Sequence, residues 1–118
     1  MLKDLSVLYI EDDPLTSVLM KMQFERKFKV LYMAVDGKEG VDMYEKYNPD
    51  IVITDLIMPE MNGYEVIDYI RRKDRDKIII AVTACMEDTV RPDVNFYLMK
   101  PVVYNDIIAI LRGLGLDD

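Results

Sequence analysis

The chain has no histidine and no tryptophan, a single cysteine, and only five glycines and five prolines in 118 residues. Without histidine there is no imidazole general base and no imidazole metal ligand within the chain. Cys85 alone cannot form an intramolecular disulfide or a multi-thiolate zinc site, and at a strand end it reads as a small buried hydrophobe. No apolar run approaches the roughly 20 residues of a membrane span. Positive charge is also scarce: 15 Lys and Arg against 22 Asp and Glu leave a net charge of −7, which argues against direct contact with nucleic acid. The N-terminal MLKDLSVLYIEDD carries acids at Asp4 and Glu11, so it matches neither a signal nor a transit peptide and reads as a first strand. The expectation is a cytoplasmic protein of one domain, residues 1–118, with one hydrophobic core.

What is present is alternation. Leu5–Ile10, Lys29–Ala34, Ile51–Thr54, Ile78–Val82 and Phe96–Met99 are short runs rich in aliphatic and aromatic residues. Runs apolar on both faces suit parallel strands covered on both sides. Helical patterns lie between them. Leu15, Val18, Leu19 and Met22 fall at i, i+3, i+4 and i+7, after Asp13 as N-cap and Pro14 at the first helical position. Asp36 with Glu39 and Asn62 with Glu65 have capping-box spacing, ahead of stripes at Val41 and Tyr44 and at Val66, Ile67 and Ile70. Ile107, Ile108 and Leu111 form the last stripe. This succession implies an open parallel α/β sheet with right-handed crossovers. The irregular stretch is Cys85–Asn95, where Pro92 leaves room for about two helical turns at most.

Ligand sites of such sheets lie beyond the carboxyl ends of the strands. Those ends carry Glu11-Asp12-Asp13, Asp55, Thr83 and Lys100-Pro101. Each has a plain structural reading by itself: Asp13 a helix cap, Glu11, Asp12 and Asp55 turn acids, Thr83 a strand-end hydroxyl, Lys100 a loop lysine. Their coincidence at four strand ends points further. Gathered carboxylates repel one another unless a cation sits among them. Oxygen donors without His or Cys suit a hard ion, and a site of few carboxylates suits Mg2+. Lys100 and Thr83 add a charge and a hydrogen bond of the kind a transferred phosphoryl group needs, and Asp55 becomes a candidate nucleophile.

VLYIEDDP, DIVITDLIMPEMNGYEVI, AVTA and FYLMKP, in that order, resemble the receiver domain of two-component response regulators over essentially the whole chain. The resemblance implies a flavodoxin-like, doubly wound five-stranded parallel sheet of order 2-1-3-4-5 with helices on both faces. It implies a signalling switch rather than an enzyme, with only self-phosphorylation and self-dephosphorylation. Asp55 would accept phosphate from a histidine kinase or phosphotransfer protein. Mg2+ would be held by Asp12 and Asp55 directly, by Glu11 mainly through water, and by the backbone carbonyl of Ile57. Thr83 would be the hydroxyl that moves toward the phosphate, Lys100 its ion-pair partner and Tyr97 the aromatic switch, with a cis Lys100–Pro101 bond. Downstream would stand a partner protein or output domain, without membrane insertion. The chain would be a stand-alone regulator or a receiver cut from a longer protein.

Three features depart from the family pattern. Glu11 replaces the more frequent Asp, and Val102 stands where an aromatic is common. The interval from Thr83 to Lys100 is several residues short, so the fourth helix is expected to be truncated or replaced by a loop, which bears on the output face. Ile57 and Cys85, each two residues after a site residue, position an attacking water poorly, so slow self-dephosphorylation is expected. Three rival functions fit parts of the pattern. A receiver fold used only for docking is suggested by the short interval. An aspartyl-nucleophile phosphohydrolase would want a second acid where Ile57 stands. In an FMN binder, Glu11-Asp12-Asp13 would repel the phosphate.

Overall fold

A computed structural model of the protein describes residues 2–58, 60–84 and 91–116. Cys85 and the prolyl residue at position 59 lie outside the described residues. A short 3-10 turn at Leu2–Asp4 leads into β1 (Ser6–Ile10), α1 (Pro14–Phe24), β2 (Val30–Ala34), α2 (Gly37–Tyr47), β3 (Ile51–Asp55) and α3 (Gly63–Lys73). Then follow β4 (Ile78–Thr83), β5 (Phe96–Met99) and α4 (Tyr104–Gly113). The strands form one sheet in the order β2-β1-β3-β4-β5, and every neighbouring pair is parallel.

Side chains alternate faces along a strand, and two apolar layers result. Val7, Tyr9, Ile51, Ile53, Ile80 and Val82 pack with Met20 and Phe24 of α1 and Ile107, Ile108 and Leu111 of α4. Leu8, Ile10, Val52, Ile79 and Ala81 pack with Tyr44 of α2 and Val66, Ile67 and Ile70 of α3. Burying one aliphatic side chain of this kind stabilises the fold by roughly 1.5–3 kcal/mol. These layers fix the strand register and hence the positions of the strand ends.

The helix starts follow their caps. Asp13 accepts from the Thr16 N–H at 3.0 Å, with Pro14 in the first turn. Asn62 and Glu65 make the full reciprocal box at α3. At α2 only half of the expected box forms: Asp36 accepts from Glu39 N–H, while the Glu39 carboxylate reaches back to Val35 N–H at 3.1 Å.

The α1 expectation changes on contact with the structure. The α1 pattern is helical, but Leu15, Val18, Leu19 and Met22 face solvent and the sheet is covered instead by Met20 and Phe24. The helix is apolar on two sides, and spacing alone did not say which one the sheet would take. The expected truncated or replaced fourth helix falls mainly on residues 85–90, which lie outside the described residues; the described residues between β4 and β5 (84 and 91–95) are not helical.

Candidate functional site

The carboxyl ends of β1, β3 and β5 bring their polar residues to one rim. Carboxylate oxygens of Glu11, Asp12 and Asp55 lie within 4.8 Å of one another. Glu11 and Asp55 are buried, and Asp12 is the open member of the three. Lys100 stands just past the end of β5. Its Nζ donates to Asp55 Oδ2 at 2.6 Å and lies 3.3 Å from Glu11 Oε1. The Lys100–Pro101 bond is cis, as the family pattern implies.

Each residue is held from behind. Glu11 N–H donates to the Ala34 carbonyl, its own carbonyl accepts from Ser17 Oγ, and its Oε2 accepts from Asp13 N–H at 3.2 Å. Lys100 N–H donates to the Thr83 carbonyl at 2.8 Å, which ties the ends of β4 and β5 together. Thr83 is buried at the tip of β4. Ile57 sits in the loop after β3 with its side chain in solvent. Tyr97 lies on β5 in register with Ala81, and its hydroxyl accepts from Arg91 N–H at 2.7 Å.

Sequence reasoning missed two supports of this rim. A Cβ on Gly63 would lie 2.1 Å from the Asp55 carbonyl, so α3 starts directly against the site strand. Gly63, directly after the Asn62 cap, is the sequence signal for that close approach. Tyr9, two residues before Glu11, is fully buried beneath the rim. Burial, then Glu11 and Asp55, push its phenol well above the ordinary value, so it stays neutral.

The electrostatics mark the site as incomplete without a cation. Burial first, and then Asp55 alongside, push the Glu11 carboxyl up from 4.5 to about 7, against the opposing pull of Asp13 N–H and Lys100. Glu11 Oε1 is buried with no aligned hydrogen-bond donor, although Lys100 lies within ion-pair reach. Burial disfavours the charged form of Lys100, but the Asp55 hydrogen bond and the charges of Asp55 and Glu11 outweigh it and move its amine upward. One lysine pairs with two of the three clustered acids. An orphaned carboxylate oxygen among oxygen-only donors fits a hard divalent ion.

The family model for the response regulator receiver domain matches residues 7–112. The chain belongs to this family. It is 35% identical over 103 residues to a probable C4-dicarboxylate response regulator DctR of Priestia megaterium, covering 81% of this chain and 45% of that protein. It is 31% identical over 100 residues to the chemotaxis protein CheY of Halobacterium salinarum, covering 80% of this chain and 83% of that one. The chain thus spans about half of DctR and most of CheY. Among solved structures, the response regulator TrrA of Thermotoga maritima, crystallised in complex with Mg2+ and BeF, superposes with a TM-score of 0.81 at 27% identity, covering 92% of this chain and 97% of that one. CheY4 of Vibrio cholerae gives a TM-score of 0.83 at 20% identity, covering 93% and 98%, and speaks for the fold. Receiver domains are the switch modules of two-component systems, and the strand order 2-1-3-4-5 is that of their fold. Among the described residues, no helix is long and apolar enough to cross a membrane.

Proposed function

We propose that residues 1–118 act as a phosphorylation-dependent switch whose phosphoacceptor is Asp55. An Asp55 oxygen attacks the phosphorus of a phosphohistidine on a kinase or phosphotransfer protein. The P–N bond breaks as the O–P bond forms, and the imidazole leaves with the electron pair and takes up a proton. The product is an acyl phosphate on Asp55, carrying roughly two negative charges. Glu11, Asp12, Asp55 and the Ile57 carbonyl would hold Mg2+, which supplies charge neutralisation at the transferred group. Lys100, already paired with Asp55 at 2.6 Å, reorients toward the phosphate oxygens. The Thr83 hydroxyl donates to one of them. Its displacement frees space for Tyr97, which carries the change toward the turn before β5. The apolar stripe of Leu15, Val18, Leu19 and Met22 begins beside the acidic rim and gives the donor protein a patch to dock on.

The observation that carries this reading is the convergence of three carboxylates from the ends of two parallel strands at one rim, two of them paired with one amine. The test is incubation with Mg2+ and acetyl phosphate followed by intact mass. Wild type gains one phosphate and Asp55→Ala gains none. No gain in wild type would overturn the switch and leave a docking module.

A further inference from the structure

The stretch between β4 and β5 is where receiver domains of ordinary length have room for a full helix, and here its described part, residues 91–95, is a turn. That turn is bound on two sides. On one side, Arg91 N–H donates to the hydroxyl of Tyr97 at 2.7 Å. On the other, the Arg91 guanidinium bridges Asp68 on α3 and Asp93 in the turn, with Nη2 2.5 Å from a carboxylate oxygen of each. Arg71, in the last turn of α3, adds a second strap. Its Nε donates to the Asp93 carbonyl at 2.6 Å and its Nη2 to Asn95 Oδ1 at 3.0 Å, and its Nη1 reaches the Lys77 carbonyl at 2.7 Å. Asn95 Oδ1 also accepts from Ile79 N–H at 2.8 Å, which locks the strap to β4.

One residue therefore joins two elements: the main chain of Arg91 holds the phenol of Tyr97, and its side chain holds α3. The Tyr97 ring cannot swing toward the rim while keeping that bond unless the turn follows, and the turn cannot follow without dragging or breaking the ion pairs to Asp68 and Asp93. We propose that the Arg91 clamp is the relay of this receiver, so that the state of Asp55 is read out on a face formed by α3 and residues 91–95. This inference rests on the phosphoacceptor reading above. The pairs suit such a role. The side chains of Arg91, Asp93 and Asp68 are 27%, 33% and 52% exposed, so the bridges are accessible, rearrange without a large desolvation penalty, and weaken with salt. The second strap, through Arg71, keeps the turn folded while the first one changes.

Hydrogen exchange of the full chain, with and without Mg2+ and acetyl phosphate, tests the relay, with intact mass reporting phosphate uptake in the same samples. In wild type, phosphorylation changes exchange by about threefold or more both in residues 91–97, the turn and the start of β5, and in the second half of α3 (68–73). Asp68→Asn takes up phosphate as wild type does and keeps the response of the turn, but the response of α3 falls to less than half, the remainder passing through the Arg71 strap. Arg91→Gln, which keeps the main-chain bond to Tyr97, repeats that pattern and guards against an effect peculiar to Asp68. Phosphate uptake with no change in the turn or in α3 overturns the relay alone, as does a full α3 response in both variants. No uptake in wild type overturns the phosphoacceptor reading and the relay with it.

Discussion

Glu11→Gln should make the protein more stable, and only under conditions the site dictates. Glu11 is buried to 1% exposure and its carboxyl is displaced from 4.5 to about 7. In the window between those two values the folded state holds a proton that the unfolded chain releases. Stability therefore falls as pH rises through the window and stays low above it. At 1.36 kcal/mol per pK unit, the charged carboxylate costs the metal-free fold about 3 kcal/mol at pH 8. Glutamine matches the shape and keeps an acceptor for the Asp13 N–H, so the variant loses chiefly the charge and its attraction to Lys100. Without Mg2+ the gain at about pH 8 should be about 1–3 kcal/mol, and near pH 4.5 it should shrink toward zero because wild-type Glu11 is then protonated.

Urea denaturation at both pH values, with chelator and then with millimolar Mg2+, measures this directly. Magnesium should stabilise wild type at pH 8 and close the gap, because the ion supplies the counter-charge that the ionised Glu11 lacks. A variant less stable than wild type at pH 8 without metal would refute the reasoning, since Glu11 would then be a net stabilising partner of Lys100. A gain of the same size at both pH values would refute it equally, since relief of charge requires a charge.

Two further substitutions probe the loop beside Asp55. Ile57→Asn replaces an exposed apolar side chain two residues after the acceptor with one able to orient water, so loss of phosphate from the labelled protein should quicken roughly tenfold; an unchanged decay rate would sink the idea. Gly63→Ala places a Cβ 2.1 Å from the Asp55 carbonyl, so urea denaturation should show a loss of about 1–3 kcal/mol, with slower uptake of phosphate in the fraction that folds.

The parts of this molecule legible in the sequence are those set by periodicity and strand ends. Ile51–Asp55 alternates between the two layers because both faces of β3 are covered, and its last residue can only fall on the rim. The arrival of Lys100 at the rim that holds Asp55, 45 residues away, was legible because parallel topology puts all strand ends on one edge, so distance along the chain ceased to matter. The α1 stripe misled because periodicity reports a face without reporting what covers it. In this helix the more apolar-looking face is the one left in solvent.

The Arg91 clamp was illegible for a different reason. With 22 acids in the chain, choosing Asp68 and Asp93 as partners of one arginine depends on how the shortened connection lands against α3, and no local pattern encodes that. The same holds for the Arg71 strap, whose acceptors are mostly backbone carbonyls that any sequence would offer. A receiver can thus keep a recognisable acidic rim, since strand ends enforce it, while the proposed relay draws on charges that only the folded connection brings into reach. In this chain the residues at the rim follow the family pattern, while the proposed route away from the rim runs through Arg91 and its two acids.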